Sequence, residues 1–147
     1  MRKAFTLIEL LVVITIIAIL AATIIPNFIG FDSEAKVTAT KTNLDSIRTR
    51  ITLFRAKEGK YPDSLGDFLT SYYYDAGIKK PYLAKIPAEM MSSKSGNTTY
   101  IDRTVDEGYT NEGGWVYFSD TAEVRVNMDD PLPAKWGEYA DQKPSEW

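Results

Sequence analysis

A charge-free apolar run near the N-terminus constrains the fold of this chain more than any other feature. No Asp, Glu, Lys or Arg occurs between Leu10 and Phe31. The apolar stretch Phe5–Ile25 is 21 residues long, which suits a helix that crosses a bilayer and exceeds the apolar core of an ordinary signal peptide. Because no A-x-A-like cleavage pattern follows it, the residues favour a membrane-spanning helix, with Arg2 and Lys3 on the cytoplasmic side.

One carboxylate, Glu9, lies inside the apolar stretch Phe5–Ile25, with no basic residue in the five positions that follow it. An acid at the centre of a membrane-spanning helix costs about 2.5–3.5 kcal/mol, so such residues mark functional sites by default. A plain membrane anchor explains the length of the run but does not explain Glu9.

Composition excludes several classes of chemistry. The 147 residues contain no histidine and no cysteine, which removes imidazole ligands, histidine-based triads, thiol nucleophiles and disulfides. No pair of carboxylates is marked for glycoside hydrolysis, so we expect no enzyme activity. The net charge of −3 lacks the basic excess that is typical of nucleic-acid-binding proteins.

The segment K-A-F-T-L-I-E-L-L-V-V-I resembles the class III signal of type IV prepilins and type II secretion pseudopilins. This resemblance implies that a prepilin peptidase cuts between Ala4 and Phe5 and that Phe5 becomes the N-methylated first residue. Glu9 is then the fifth residue of the mature chain. The family usually has Gly before the cut, so Ala4 is a departure that leaves the efficiency of processing open.

The resemblance also implies an assembly role for Glu9. Cleavage creates a cationic amino group on Phe5, and the ammonium of a neighbouring subunit would neutralise Glu9 inside a filament. Removing one partner of a buried ion pair typically costs about 3–5 kcal/mol.

The helix is expected to continue beyond the membrane. Leu44, Ile47, Ile51 and Phe54 recur at spacings of three and four, which predicts an amphipathic helix, and Gly59 suits its C-terminal cap. Upstream, Pro26 deletes a backbone hydrogen bond and Gly30 follows one turn later, so a kink is predicted. The resemblance implies that this segment can melt in filaments.

Beyond the helix, the patterns predict a small globular domain. Ser64 and Asp67 suggest a capping box that starts a short amphipathic helix reaching Tyr72, and residues 75–97 read as a loop. Three strands are predicted, at Thr98–Arg103, Trp115–Phe118 and Glu123–Val126.

The predicted fold class is α+β and pilin-like, with a long N-terminal helix packed on a small antiparallel sheet. Its segments are a leader (1–4), a hydrophobic transmembrane or filament-core helix (5–27), its amphipathic continuation (28–58) and the globular domain (59–147). Without cysteine, the C-terminal region must close by packing, for which Asp129-Asp130-Pro131, Trp136, Tyr139 and Trp147 are available.

Other candidate sites keep two interpretations each. Related pseudopilins hold calcium, and oxygen donors of the kind calcium prefers are present, but no ligand spacing is visible, which favours a solvated acidic rim. The metal therefore stays unknown and no other cofactor is expected. The acids in question are Asp102, Asp106, Glu107, Glu112, Asp120, Asp129 and Asp130.

Two further groups of residues have two interpretations each. Tyr72, Tyr73 and Tyr74 suggest an interface, but consecutive residues cannot share one helix face. A group of lysines could touch DNA or solubilise a loop; these are Lys79, Lys80, Lys85 and Lys94.

The resemblance therefore implies a structural filament subunit, anchored in the inner membrane with its domain outside the cytoplasm. Its partners would be copies of itself, the prepilin peptidase/N-methyltransferase, an assembly platform and an ATPase. The short domain without cysteine and the E-G-K-Y-P segment favour a type II secretion pseudopilus; a type IV pilus for adhesion, motility or DNA uptake is the alternative. A bitopic binding module that never polymerises, and so keeps its N-terminus, is the alternative from another class.

Overall fold

The computed structural model describes residues 5–24, 31–92 and 96–147. The chain divides into two compact units, Met1–Asp32 and Ser33–Trp147. Within the described ranges, no helix combines the length and the hydropathy needed to cross a membrane.

The first unit contains helix α1, Leu7–Ile24. Its large apolar side chains point in all directions and stand between 47% exposed (Val13) and 88% exposed (Leu7). A helix that is apolar all round normally lies in lipid or inside protein. The side chains of α1 therefore need a surrounding that this unit does not itself provide.

Helix α2, Phe31–Glu58, carries the predicted apolar stripe. Its buried side chains are Val37, Thr40, Leu44, Ile47, Ile51 and Phe54, which confirms the four predicted positions and extends the stripe towards the helix start. The helix ends as predicted: Gly59 adopts φ 75° and its N–H donates to the Arg55 carbonyl at 2.9 Å.

A β-hairpin follows where the sequence predicted helix and loop. Helix α3 covers only Asp67–Thr70, and strands β1 (Tyr72–Asp75) and β2 (Ile78–Pro81) pair antiparallel. The prediction of a helix reaching Tyr72 was therefore wrong, as was a loop throughout 75–97. Tyrosines favour strands, and the two residues between β1 and β2 both have positive φ, as a tight hairpin turn requires.

The second unit also contains a three-stranded sheet. Strands β4 (Trp115–Phe118) and β5 (Glu123–Val126) have the predicted bounds and pair antiparallel, while β3 is Tyr100–Arg103. The order is β3-β4-β5, and β3 pairs parallel with β4. The sheet is thus mixed, because the chain returns to the start of β3 before entering β4.

The core lies between α2 and these strands. Phe54 of α2 packs on Tyr82 and Phe68, with ring centroids 4.8 and 5.5 Å apart.

The polar atoms of the buried strand residues have hydrogen-bond partners. Trp115 and Tyr117 are fully buried. Trp115 Nε1 donates to the Pro87 carbonyl at 2.7 Å, and Tyr117 Oη donates to the Pro62 carbonyl at 2.7 Å. The predicted α+β fold class is confirmed, but the prediction of a purely antiparallel sheet was wrong, because β3 and β4 run parallel.

The C-terminal segment closes by packing, as the cysteine-free sequence predicted. Leu132 and Trp136 pack with Val37 and Met91 in a second apolar cluster. The Lys41 ammonium lies 4.3 Å from the Trp147 ring centroid. Further short helical turns cover Ala134–Tyr139 and Pro144–Glu146.

Candidate assembly site

The Glu9 carboxylate takes part in a capping box at the start of α1. Its Oε2 accepts hydrogen bonds from Thr6 N at 2.9 Å and Thr6 Oγ1 at 2.7 Å, and Glu9 N donates to Thr6 Oγ1 at 3.2 Å. The first N–H groups of a helix have no partner within it. Thr6 and Glu9 satisfy each other's donors, so the acid in the apolar run is hydrogen-bonded within its own chain.

Thr6 is the hydrogen-bond partner of Glu9 that the sequence reasoning missed. The four residues Thr6-Leu7-Ile8-Glu9 match the S/T-x-x-E pattern of a capping box. A similar pattern at Ser64 and Asp67 predicts a second box. At that second place the structure forms half a box, because Asp67 Oδ2 accepts from Ser64 N at 3.1 Å whereas Ser64 Oγ accepts from Gly66 N.

Glu9 is exposed and has apolar side chains beside it. Phe5, Ile8, Val12 and Val13 line a shallow concavity with it, and Phe5 itself is 75% exposed. Helix α1 begins at Leu7, so Phe5 precedes the helix instead of forming its first turn as the sequence suggested. An apolar surface placed over this concavity would remove water from the carboxylate.

Three residues that carry N-terminal predictions lie outside the described part of the chain. They are Ala4, before the expected cut, and Pro26 and Gly30, at the expected kink. Cleavage, methylation and the kink therefore stay predictions.

Two of the candidate acids, Asp102 and Asp129, accept hydrogen bonds from residues distant in the sequence. Asp102 accepts from Ser64 Oγ and Leu65 N at 2.7 and 2.9 Å. Asp129 accepts from Ser145 Oγ at 2.6 Å and from Lys143 Nζ at 3.2 Å, and these two contacts lower the pKa of Asp129. In the part of the chain that the structure describes, no three Asp or Glu residues are grouped to hold a metal ion.

Glu89 is a fully buried carboxylate that no sequence pattern marked. It accepts hydrogen bonds from Ser92 N at 3.0 Å and Gly114 N at 3.2 Å, and also from Met91 N and Ser92 Oγ. The site is tight, because a Cβ added at Gly113 would lie 2.3 Å from Ser92 Cβ. Glu89 therefore ties the loop after Ile86 to the start of β4.

The candidate basic patch is largely engaged within the hairpin. Lys80 pairs with Asp75 at 2.6 Å, and the Lys79 ammonium lies 4.1 Å from the Tyr72 ring centroid. Lys94 lies outside the described residues.

Comparison with known proteins places this sequence in a family. Residues 1–25 match the model of the prokaryotic N-terminal methylation motif. The type II secretion system core protein G of Pseudomonas aeruginosa is 30% identical over 101 residues, which cover 60% of this chain and 67% of that protein. The chain belongs to the type IV pilin-like family.

Both branches of the family occur among the relatives. The type IV major pilin protein PilA of Myxococcus xanthus is 46% identical over 62 residues, 42% of this chain but only 28% of that pilin. The type IV major pilin protein PilE1 of Neisseria gonorrhoeae is 26% identical over 152 aligned positions, 97% of this chain and 90% of the pilin. No solved structure matches this chain significantly.

Proposed function

We propose that the chain is a structural subunit of a helical filament, cut between Ala4 and Phe5, N-methylated on Phe5 by a prepilin peptidase/N-methyltransferase and assembled from the inner membrane. The observation that carries this proposal is the N-terminal methylation motif over residues 1–25, with Glu9 five positions into the mature chain. The subunit needs no cofactor, and its work is polymerisation.

The proposed assembly step is an exchange of partners at Glu9. In the free subunit Glu9 is held by Thr6, and α1 exposes its apolar side chains. When α1 packs among other copies of α1, the carboxylate loses water and needs a full positive charge. The ammonium of a neighbour's Phe5 supplies that charge and fixes the axial register between the two subunits.

Within this class, we propose a type II secretion pseudopilus that promotes protein export, working with an assembly platform and an ATPase. Support comes from the alignment that covers 67% of the Pseudomonas core protein G and from the absence of cysteine. The subunit would span the inner membrane once, with residues 59–147 on the periplasmic side.

A type IV pilus is the second candidate. It is favoured by the 46% identity to the myxococcal pilin and by the nearly full-length alignment with the gonococcal pilin. Deleting the gene in its native host separates the two systems, because a pseudopilin is required for secretion and a pilin for surface fibres.

Mass spectrometry of the native protein tests the filament proposal. We expect loss of Met1–Ala4 and the gain of one methyl group on Phe5. A retained Met1 would contradict the proposal and favour a bitopic binding module. In parallel, Glu9→Leu should abolish filaments while leaving processing intact, with the exposed Glu112→Leu as the matched control.

A further inference from the structure

The outer face of the β1–β2 hairpin is an exposed aromatic surface. Directly opposed residues of an antiparallel pair lie on the same face, so the register Tyr72↔Pro81 and Tyr74↔Lys79 places these four side chains together. Tyr72 is 46% exposed and Tyr74 67% exposed. We call this set of four residues the tyrosine face.

The opposite face of the same hairpin holds it to the core. Tyr73 packs on the buried Tyr82 with ring centroids 5.0 Å apart, while Lys80 and Asp75 pair with each other within the hairpin. The hairpin is thus fixed from one side while the tyrosine face stays open. Tyrosine combines a large apolar ring with a polar tip and is enriched at protein interfaces.

Charge is unevenly divided along the second unit. Residues 33–92 carry ten basic and seven acidic side chains, whereas residues 96–147 carry four basic and eleven acidic ones. On the tyrosine face itself the one charged side chain is Lys79, because Lys80 lies on the opposite face and pairs with Asp75. A partner for the tyrosine face should therefore be acidic around an apolar centre.

The acidic half of this chain carries such a surface. Val105 is 49% exposed and is the one large apolar side chain that stands out among the described residues from 96 to 147. Asp106 and Glu107 follow it in a short helical turn, and Asp120 Oδ2 accepts from Val105 N at 3.2 Å. Arg103, the nearby cation, donates to the Glu107 carbonyl. We call Val105, Asp106, Glu107 and Asp120 the acidic patch.

We propose that, in the filament, the tyrosine face of one subunit docks on the acidic patch of a neighbouring copy. The inference rests on the proposed filament function. Two different, complementary patches on one chain make a head-to-tail contact, which generates an open helical array when its rotation does not close a ring. Tyr72 and Tyr74 cover Val105, and Lys79 meets Asp106.

Disulfide trapping tests this contact cleanly because the chain has no cysteine. Full-length subunits carrying both Tyr74→Cys and Val105→Cys are assembled in cells, and the sheared filaments are oxidised and run on a non-reducing gel. We expect a ladder of cross-linked multimers. Each single variant, and the pair Ile78→Cys with Val105→Cys, should give no ladder, because Ile78 is equally open (61% exposed) but lies on the opposite hairpin face.

The outcomes separate the two proposals. Filaments that form without a ladder from positions 74 and 105 overturn the docking contact and leave the filament function intact, whereas a wild-type chain that forms no filament overturns the function itself.

If the cysteine variants fail to assemble, exchanging the charges of Lys79 and Asp106 tests the same contact. Lys79→Glu should lower filament yield, Asp106→Lys in the same chain should restore it, and Asp130→Lys, a change at an exposed acid elsewhere, should not. An unchanged yield for Lys79→Glu, or a loss that Asp106→Lys fails to restore, contradicts the contact.

Discussion

The Arg48 guanidinium donates a hydrogen bond of 2.6 Å to the main-chain oxygen of Trp147, 99 residues further along the chain. The same Nη2 also reaches the Val124 carbonyl at 3.4 Å. One side chain of α2 therefore joins the helix to β5 and to the C-terminal segment, which is the closure that a disulfide cannot provide here.

Replacing Arg48 with Met should loosen this closure. A hydrogen bond from a charged donor contributes about 1.5–3 kcal/mol, and the side chain is 41% exposed, so we expect a loss near the lower end, about 1.5 kcal/mol. Urea unfolding of the purified protein measures it. Arg50→Met on the same helix is the control and should change stability by under about 0.5 kcal/mol; equal losses for both variants would contradict the role of Arg48.

Glu89→Gln should destabilise the second unit by about 2 kcal/mol or more. The carboxylate accepts hydrogen bonds from the N–H groups of Ser92 and Gly114 among others, and an amide would turn its own donors towards them in a site with no access to water. Thermal unfolding of Glu89→Gln and of the exposed control Glu112→Gln provides the comparison. Indistinguishable midpoints would show that the buried carboxylate does not hold the loop.

The hairpin turn contains a strained alanine. Ala76 has φ 49° and Gly77 has φ 80°, the positive values that a type I′ turn requires, and Asn suits the first position better than Ala. We expect Ala76→Asn to slow hydrogen exchange in β1 and β2 and to stabilise the protein by about 0.5–1 kcal/mol. Gly77→Ala should do the reverse, and faster exchange in Ala76→Asn would refute this explanation.

Alkaline unfolding should depend on Tyr117. Burial raises the pKa of Tyr117 to about 12, and burial with the Glu58 contact also raises the pKa of Tyr82. An unfolded tyrosine ionises near pH 10, so unfolding releases a proton between pH 10 and 12 and stability falls as the pH rises through that range.

Tyr117→Phe tests the origin of this slope. The variant loses the hydrogen bond to Pro62 and should be less stable at pH 8, yet its free energy of unfolding should fall less steeply from pH 10 to 12. Denaturant titrations at several pH values measure both curves. Parallel curves for the variant and the wild type would show that a group other than Tyr117 causes the loss of stability from pH 10 to 12.

Local patterns predicted the elements whose signal is local. The stripe from Leu44 to Phe54 follows helical periodicity, and Val124 and Val126 alternate with polar residues, so α2 and β5 were predicted correctly. The N-terminal motif is likewise contiguous, and its family assignment needed no tertiary information.

The errors arose where distant or competing contacts decide the structure. Tyr72 continues an apolar helical pattern, but pairing with Pro81 places it in a strand. The parallel pairing of Tyr100 with Trp115 depends on the path of the intervening chain. Glu89 looks like an ordinary loop acid, and its burial follows from Gly113 and Gly114 lying against it.

A high-resolution structure of the assembled filament tests the central claim most directly, through the distance between Glu9 and the amino nitrogen of Phe5 in adjacent subunits. We predict a charge-assisted contact of about 2.7–2.9 Å from that nitrogen to a carboxylate oxygen of the neighbour. Separation of these atoms by well over 4 Å, with Glu9 still held only by Thr6 of its own chain, would contradict the exchange of partners on which the proposed assembly depends.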